Sequence, residues 1–210
     1  MKSIERESGL KLSGSSPAGL VPKMLNHAAY VTHDTAVTVD FYTRVLGMEL
    51  ACSVLDDVIP STGDPFPFLH TFFRIADGST LAFFESPGLP PRAQPTHPAY
   101  SIFEHIALEV SSVEELHRWH AWLLENGVSV IGPTNHDRLI LSIYFHDPNG
   151  YRLELTVPID PSWNMHTDQA YQNVQLWTQT KRSAQEAGGD PTEALVKVIK
   201  AAREQRAKAG

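Results

Sequence analysis

The chain has 210 residues, of which 42% are hydrophobic and 20% are charged, a composition typical of a globular protein and not of a disordered chain. Its 17 Lys and Arg against 24 Asp and Glu give a net charge of −7, which argues against the basic surface that a nucleic-acid partner requires. The single cysteine excludes an internal disulfide, and no apolar run is long enough to cross a membrane.

The N-terminal segment is predicted to be a flexible arm over residues 1–22, because it is rich in Ser, Gly and Lys and shows no hydrophobic period. It carries charges where a signal peptide needs an apolar segment. A cytoplasmic protein in a reducing environment is therefore expected, with no membrane partner.

A first module is predicted over residues 24–86, within a domain that covers residues 23–158. Residues 25–31 have the composition of a strand, and residues 35–46 place apolar side chains at helical spacing until Gly47 ends the helix. Three more strands are predicted at residues 49–54, 70–75 and 80–85, with an Asp-Gly turn before the last of them.

A second module repeats this order over residues 103–157. Residues 103–110 predict a strand, and Ser112 with Glu115 forms a capping box that opens a helix. The remaining strands are predicted at residues 128–131, 139–145 and 151–157. The order of elements therefore indicates an internal repeat of two modules that share one core.

The segments outside the repeat are a linker and a helical extension. Residues 87–102 contain many prolines and are predicted to be the linker between the modules. Helices are predicted at residues 167–187 and 191–207, within a C-terminal extension that covers residues 159–210. This extension could wrap the core, cover a site or contact another subunit, and the sequence does not distinguish between these three roles.

Three polar residues stand in strands that are otherwise apolar: His27, His105 and Glu154. The two histidines occupy the same place in the two modules, and the glutamate lies in the last strand of the second. Strand alternation puts His105 and Glu154 on the polar faces of their strands, which either meet solvent or line a wet cavity. Two imidazoles and one carboxylate are the ligand set of many Fe(II) sites, and the same donors also bind Zn(II) or Mn(II).

A fourth protein ligand is the main open question about this set. Glu154 lies four residues after Gly150, and the residue four after Gly78 in the first module is Ala82. Glu85 lies three residues further along that strand, so alternation should point it to the opposite face unless a bulge intervenes. Three protein ligands are therefore expected, with Glu85 as the alternative fourth.

These segments resemble the vicinal-oxygen-chelate superfamily, which includes glyoxalase I, extradiol dioxygenases, fosfomycin-resistance enzymes and methylmalonyl-CoA epimerase. The similar stretches surround His27, cover residues 39–48, begin again at His105 and end with residues 144–154. The resemblance implies an α+β fold of paired βαβββ modules, forming a curled mixed sheet around a cavity that holds a divalent metal.

One branch of that superfamily, the extradiol ring-cleaving dioxygenases, has a signature that this chain satisfies. The matching residues are His136, the pair Ile143-Tyr144, the turn Asp147-Pro-Asn-Gly150 and Glu154. The resemblance implies that Glu154 is an iron ligand together with His27 and His105. It also implies catalytic roles for His136 and Tyr144 in proton transfer and oxygen chemistry.

The expected function is that of an Fe(II) extradiol-type dioxygenase, an oxidoreductase of aromatic catabolism that uses O2 on a catechol-like substrate. Zn, Ni and Mn are alternative metals, and no organic cofactor is expected. A cluster of four phenylalanines suits a flat or hydrophobic small molecule, and is equally consistent with a core: Phe66, Phe68, Phe72 and Phe83.

Two departures from the dioxygenase pattern keep other functions open. The chain has no histidine over residues 79–85, where the family usually carries one, and it has one pair of modules where many members have two. A glyoxalase- or epimerase-like lyase or isomerase, with Glu85 as a ligand, is the first alternative. A non-catalytic protein that binds a small molecule is the second, and a homodimer is open in each case.

Overall fold

The computed structural model describes residues 20–90, 93 and 95–209 of the chain. The predicted arm over residues 1–22 lies almost entirely outside the described residues. The described strands form two four-stranded sheets with the same internal order, β1-β4-β3-β2 in the first and β5-β8-β7-β6 in the second. This common order confirms the α+β class and the paired modules; the strands make two separate sheets, which are not closed into a barrel.

The first module begins with β1, which pairs in parallel with β4, while β3 runs antiparallel to both of its neighbours. Its elements are β1 (His27–Val31), α1 (Thr35–Asp40), a π-helical turn (Phe41–Val45), β2 (Glu49–Val58), β3 (Pro65–Arg74) and β4 (Thr80–Glu85). The side chains that this module buries, such as Tyr42 and Phe83, lie between the helical segment and one face of the sheet, with ring centroids 4.9 Å apart.

The helix of this module departs from the predicted α-helix over residues 35–46. Regular α-helical geometry ends at Asp40, and the amide of Leu46 donates to the carbonyl of Phe41, which is the wider π-type spacing. Gly47, with a φ of 67°, then ends the segment in a conformation that a side chain would oppose. The wider turn buries Tyr42 completely, which apolar spacing alone does not reveal.

The second and third strands of this module form a long hairpin. β2 extends to Val58 and β3 starts at Pro65, and these two residues are paired in the antiparallel register. β3 pairs with β4 only from Leu69 onward. Pro65 and Pro67 therefore lie where no second neighbour needs their missing amide hydrogen, which is why prolines are tolerated there.

The second module repeats the first with some shifts of boundary. Its elements are α2 (Pro98–Phe103), β5 (Ile106–Glu109), α3 (Val113–Glu125), β6 (Ile131–His136), β7 (Ile140–His146) and β8 (Arg152–Pro158). α2 covers the end of the region predicted to be a linker over residues 87–102 and extends to Phe103, so the strand predicted at 103–110 starts only at Ile106. The strand predicted at 128–131 starts only at Ile131. The predicted cap is confirmed in its first half, because the Ser112 hydroxyl accepts from the Glu115 amide at 3.1 Å. The Glu115 carboxylate accepts the amide of Ser111, at 2.9 Å, and not that of Ser112.

A buried polar network joins the two modules. The carboxylate of Asp147, in the turn before β8, accepts the Tyr42 hydroxyl at 3.1 Å and the Tyr151 amide at 2.8 Å. The Tyr151 hydroxyl in turn donates to the carbonyl of Val31 at 3.1 Å. Burial raises the pKa of Tyr42 far above its ordinary range, with Asp147 adding to the effect, so this hydroxyl keeps its proton and remains a donor.

Packing divides the described chain into two compact units. The first comprises the residues up to 132 and residues 143–155, and the second comprises residues 133–142 and those from 156 onward. The second unit contains α4 (Thr167–Glu186) and α5 (Pro191–Ala209), close to the predicted helices. The predicted limits of the domain over 23–158 and of the extension over 159–210 stay predictions. No helix in the described part of the chain is both long and apolar enough to span a bilayer.

Candidate metal centre

His105 and Glu154 come together on the sheet of the second module. Glu154 is the third residue of β8 and its side chain is 3% exposed, while His105 directly precedes β5 and remains 30% exposed. The Nε2 atom of His105 lies 2.8 Å from Oε2 of Glu154. The other ring nitrogen, Nδ1, lies 2.9 Å from the carbonyl oxygen of Phe103 and donates to it.

This arrangement calls for a cation between the two side chains. An imidazole that donates from Nδ1 has, when neutral, a lone pair on Nε2. That lone pair faces a carboxylate oxygen at 2.8 Å, and two lone pairs at this distance repel unless a proton or a metal ion lies between them. Metal-binding histidines commonly donate their second nitrogen to a backbone carbonyl, as His105 does.

The second oxygen of Glu154 supports the same conclusion. Oε1 is buried and has no hydrogen-bond partner among the described residues. A buried carboxylate oxygen without a partner is destabilising, because it has lost its hydration without a replacement. A divalent cation that both oxygens can approach would supply that partner, so the His105–Glu154 pair fits a metal ion.

Tyr144 and Arg152 flank this pair. The buried ring of Tyr144 stands edge-on to the His105 ring, with centroids 5.9 Å apart. The guanidinium carbon of Arg152 lies 4.1 Å from the centroid of the Tyr144 ring. Tyr144 was predicted from the sequence and Arg152 was not, although Arg152 lies two residues before Glu154 and therefore on the same strand face.

His27 lies on the sheet of the first module in a comparable local setting. Its Nδ1 donates to the Asn26 side-chain oxygen at 2.7 Å, which leaves Nε2 as the available nitrogen. Its ring is edge-on to Phe72, with centroids 5.7 Å apart. Phe72 and Tyr144 both lie six residues before the repeat glycines Gly78 and Gly150, so in both modules the histidine makes a T-shaped contact with the equivalent aromatic ring.

The structure does not bring all three predicted ligands together within one chain. His105 and Glu154 meet, while His27 lies against His70 and Phe72 of its own sheet. Among the residues that the structure describes, no group of three or more His, Cys, Asp and Glu side chains is placed to hold a metal ion.

The face of the first sheet that carries His27 is aromatic. His70 stacks on Phe84 with ring centroids 3.5 Å apart, and its buried Nε2 has no hydrogen-bond partner among the described residues. Burial, together with the neighbouring His27, lowers the pKa of His70. Phe72 belongs to this face, whereas Phe83 does not: it is fully buried against Tyr42 in the core. The four predicted pocket phenylalanines are therefore divided between the two faces.

Glu85 points away from the His27 face. Its Oε2 accepts the Thr35 amide at 2.7 Å, where it satisfies a free N–H at the start of α1. Strand alternation had predicted this orientation, opposite to that of Ala82. His136, the last residue of β6, is exposed and belongs to the second compact unit, so its predicted catalytic role stays a prediction.

Comparison with known proteins identifies similar chains. Residues 24–155 match the model of the Glyoxalase/Bleomycin resistance protein/Dioxygenase superfamily. MhqA of Bacillus subtilis, a candidate ring-cleaving dioxygenase, is 32% identical over 136 residues, which are 63% of this chain but only 39% of MhqA. The metallothiol transferase FosB of Staphylococcus saprophyticus is 29% identical over 135 residues, 62% of this chain and 74% of FosB.

A solved structure supports the fold. A glyoxylase/bleomycin resistance protein/dioxygenase domain from Frankia superposes with a TM-score of 0.53 at 15% identity, covering 66% of this chain and 99% of the other. At that identity the likeness concerns the fold alone. The match with MhqA spans less than half of that protein, so its activity is not transferred to this chain by similarity.

Proposed function

Because this chain belongs to the Glyoxalase/Bleomycin resistance protein/Dioxygenase superfamily, we propose that it is a divalent-metal enzyme acting on a small organic substrate. Within that class we propose an Fe(II) extradiol-type dioxygenase of catechol-like aromatics. The observation that carries the proposal is Glu154, buried with one oxygen against His105 and the other without a partner among the described residues. The similarity to MhqA and the matching signature support the finer assignment.

The roles of the residues follow from their chemistry. His105, Glu154 and His27 hold the ion, which when bound supplies a site where a catechol and O2 can meet. The T-shaped contact with Tyr144 helps to hold the plane of the His105 ring, and the role of His136 in this proposal is to transfer a substrate proton. Ring opening breaks the bond beside the two hydroxylated carbons, and both atoms of O2 enter the product, so no external reductant is required.

The third ligand comes, in this proposal, from a second copy of the chain. His27 lies on an exposed sheet face with Nδ1 already engaged, and a twofold dimer would supply this face twice. Such a dimer predicts complementation between two inactive variants. His27→Ala and Glu154→Gln chains, mixed and refolded together, should recover about a quarter of the wild-type sites, because half of random dimers are mixed and each holds one intact site. If the mixture recovers no metal sites, the proposal that His27 comes from a second copy of the chain is wrong.

Metal content tests the enzyme class. Protein purified without oxygen and loaded with Fe(II) should hold one ion per chain, and His105→Ala and Glu154→Gln should lose it. The matched controls are His117→Ala and Glu109→Gln, which remove the same groups at exposed positions and should keep the metal. Retention of iron by His105→Ala and Glu154→Gln would overturn the proposal.

Oxygen uptake tests the finer assignment. Wild-type protein with Fe(II) should consume O2 and form a yellow ring-opened product with a catechol. Thiol transfer is the second candidate, favoured by the match that covers 74% of FosB. Consumption of a free thiol with an electrophilic substrate, in the absence of oxygen uptake, would select that candidate. Glu85 accepts the Thr35 amide, which favours three protein ligands over the four that a glyoxalase-like site would use.

A further inference from the structure

Arg152 lies beside the His105–Glu154 pair and has no role in the chemistry described above. It is the first residue of β8 and shares a strand face with Glu154. The ring of Tyr144 lies under its guanidinium, and its Nη1 donates to the carbonyl of Ile102 at 2.7 Å. Two contacts from different segments therefore fix the plane of this half-buried cation.

The charge of Arg152 is not neutralised within the described chain. Its Nε is buried without a hydrogen-bond partner there, and the ion pairs found among the described residues do not include it. The other strand arginine of the repeat, Arg74, pairs with Glu49 on the surface. A partly buried guanidinium without an anion is unfavourable, because its lost hydration is not replaced.

The fold itself does not require a cation at this position. Arg152 and Thr80 both lie two residues after their repeat glycine, at equivalent starts of β8 and β4. Thr80 occupies the first module's position as an ordinary strand residue, paired with His27. A neutral side chain therefore satisfies the same architecture, and the arginine needs another explanation.

We infer that Arg152 binds the anionic group of the substrate, so that this site takes a small organic acid whose carboxylate or phosphonate lies next to the ion. The inference rests on the proposed function, because it assumes that the rest of the substrate reaches the metal. The guanidinium N–H groups that Ile102 does not occupy can donate charge-assisted hydrogen bonds to the oxygens of such a group. Because Tyr144 and Ile102 already hold its plane, little side-chain entropy is lost on binding.

Two catechol probes test the inference in the metal-loaded full chain. We expect 3,4-dihydroxybenzoate to bind more tightly than catechol, by isothermal titration calorimetry without oxygen. Arg152→Gln should weaken the binding of 3,4-dihydroxybenzoate by about 10- to 100-fold, as expected for the loss of a charge-assisted hydrogen bond. It should change catechol binding less than about threefold, and Arg152→Lys should recover part of the loss. Arg118→Gln, which removes an exposed arginine on α3, should change neither probe.

The failures are distinguishable. Equal weakening of both probes in Arg152→Gln, at unchanged metal content, would show that Arg152 only supports Tyr144 and would overturn the inference. Failure of the metal centre is read separately, from the iron content of the wild type. If the metal centre fails, benzoate and benzamide titrated into metal-free protein still test the role of Arg152. The inference requires benzoate to bind more tightly than benzamide. It also requires Arg152→Gln to weaken the binding of benzoate and to leave the binding of benzamide unchanged.

Discussion

Replacing Glu154 by leucine should make the metal-free protein more stable. The carboxylate is 3% exposed, with one oxygen near a histidine and the other without a partner among the described residues. Without a metal, the folded state therefore bears most of the desolvation cost of a charge and regains only part of it. The equivalent position in the first module is Ala82, which is fully buried, so the strand accepts an apolar residue there.

The expected gain follows from the balance of these contributions. Replacing both members of a buried ion pair by hydrophobic residues of similar size stabilises proteins by about 1–4 kcal/mol, whereas removing one member is costly when the other is left buried. His105, at 30% exposure, is not stranded by the change, because water can reach it. For a chain of this size each kcal/mol raises Tm by about 2–4 °C, so a gain of about 2 kcal/mol corresponds to roughly 4–8 °C.

The assay is urea unfolding of chelator-treated protein, followed by circular dichroism. Glu85→Leu is the matched control on the equivalent sheet, because Glu85 accepts the Thr35 amide; that variant should lose about 0.5–2 kcal/mol. If Glu154→Leu raises the unfolding free energy and Glu85→Leu lowers it, the Glu154 carboxylate destabilises the metal-free fold. If Glu154→Leu instead loses more than about 1 kcal/mol, the carboxylate is a structural element and the reasoning is refuted.

Three further predictions concern the network between the modules and the ligand number. Tyr42→Phe removes the donor to Asp147 and should cost about 1.5–3 kcal/mol of unfolding free energy, measured with urea; a cost near zero would contradict the network. Burial raises the pKa of Asp147 from its ordinary 3.8, so the folded state binds that proton more strongly and the carboxyl's contribution to stability falls as pH rises from about 4 through the raised pKa. Asp147→Asn should remove this pH dependence of the unfolding free energy. An unchanged pH dependence in that variant would refute the assignment. Glu85→Gln should keep its full metal content, whereas loss of metal would indicate a fourth ligand.

The repeat made much of this structure predictable. Two copies of the same order of elements indicated two equivalent modules, and the common strand order of the two sheets confirms it. Strand parity placed Glu85 on the face away from Ala82, as the bond from Thr35 shows. Parity works here because β4 is regular and its pairing with β3 is uninterrupted.

Other features depend on packing that local patterns do not encode. The π-helical turn after Asp40 includes Tyr42, whose buried hydroxyl donates to Asp147. That partner lies more than 100 residues away in the sequence, so a local pattern does not reveal it. The four phenylalanines of the predicted pocket are close in sequence but do not share a face, because Phe83 is fully buried in the core. Arg152 was missed because a lone strand arginine is most often solvated, and only its stacking on Tyr144 distinguishes it.

Whether imidazole from His105 binds the metal is tested most directly by X-ray absorption at the iron edge of the loaded protein. The wild type should show scattering from two imidazoles, whereas His105→Ala, once unbound metal is removed, should give no iron edge. An edge spectrum without imidazole scattering, or one that His105→Ala leaves unchanged, would contradict a metal centre built on His105 and Glu154.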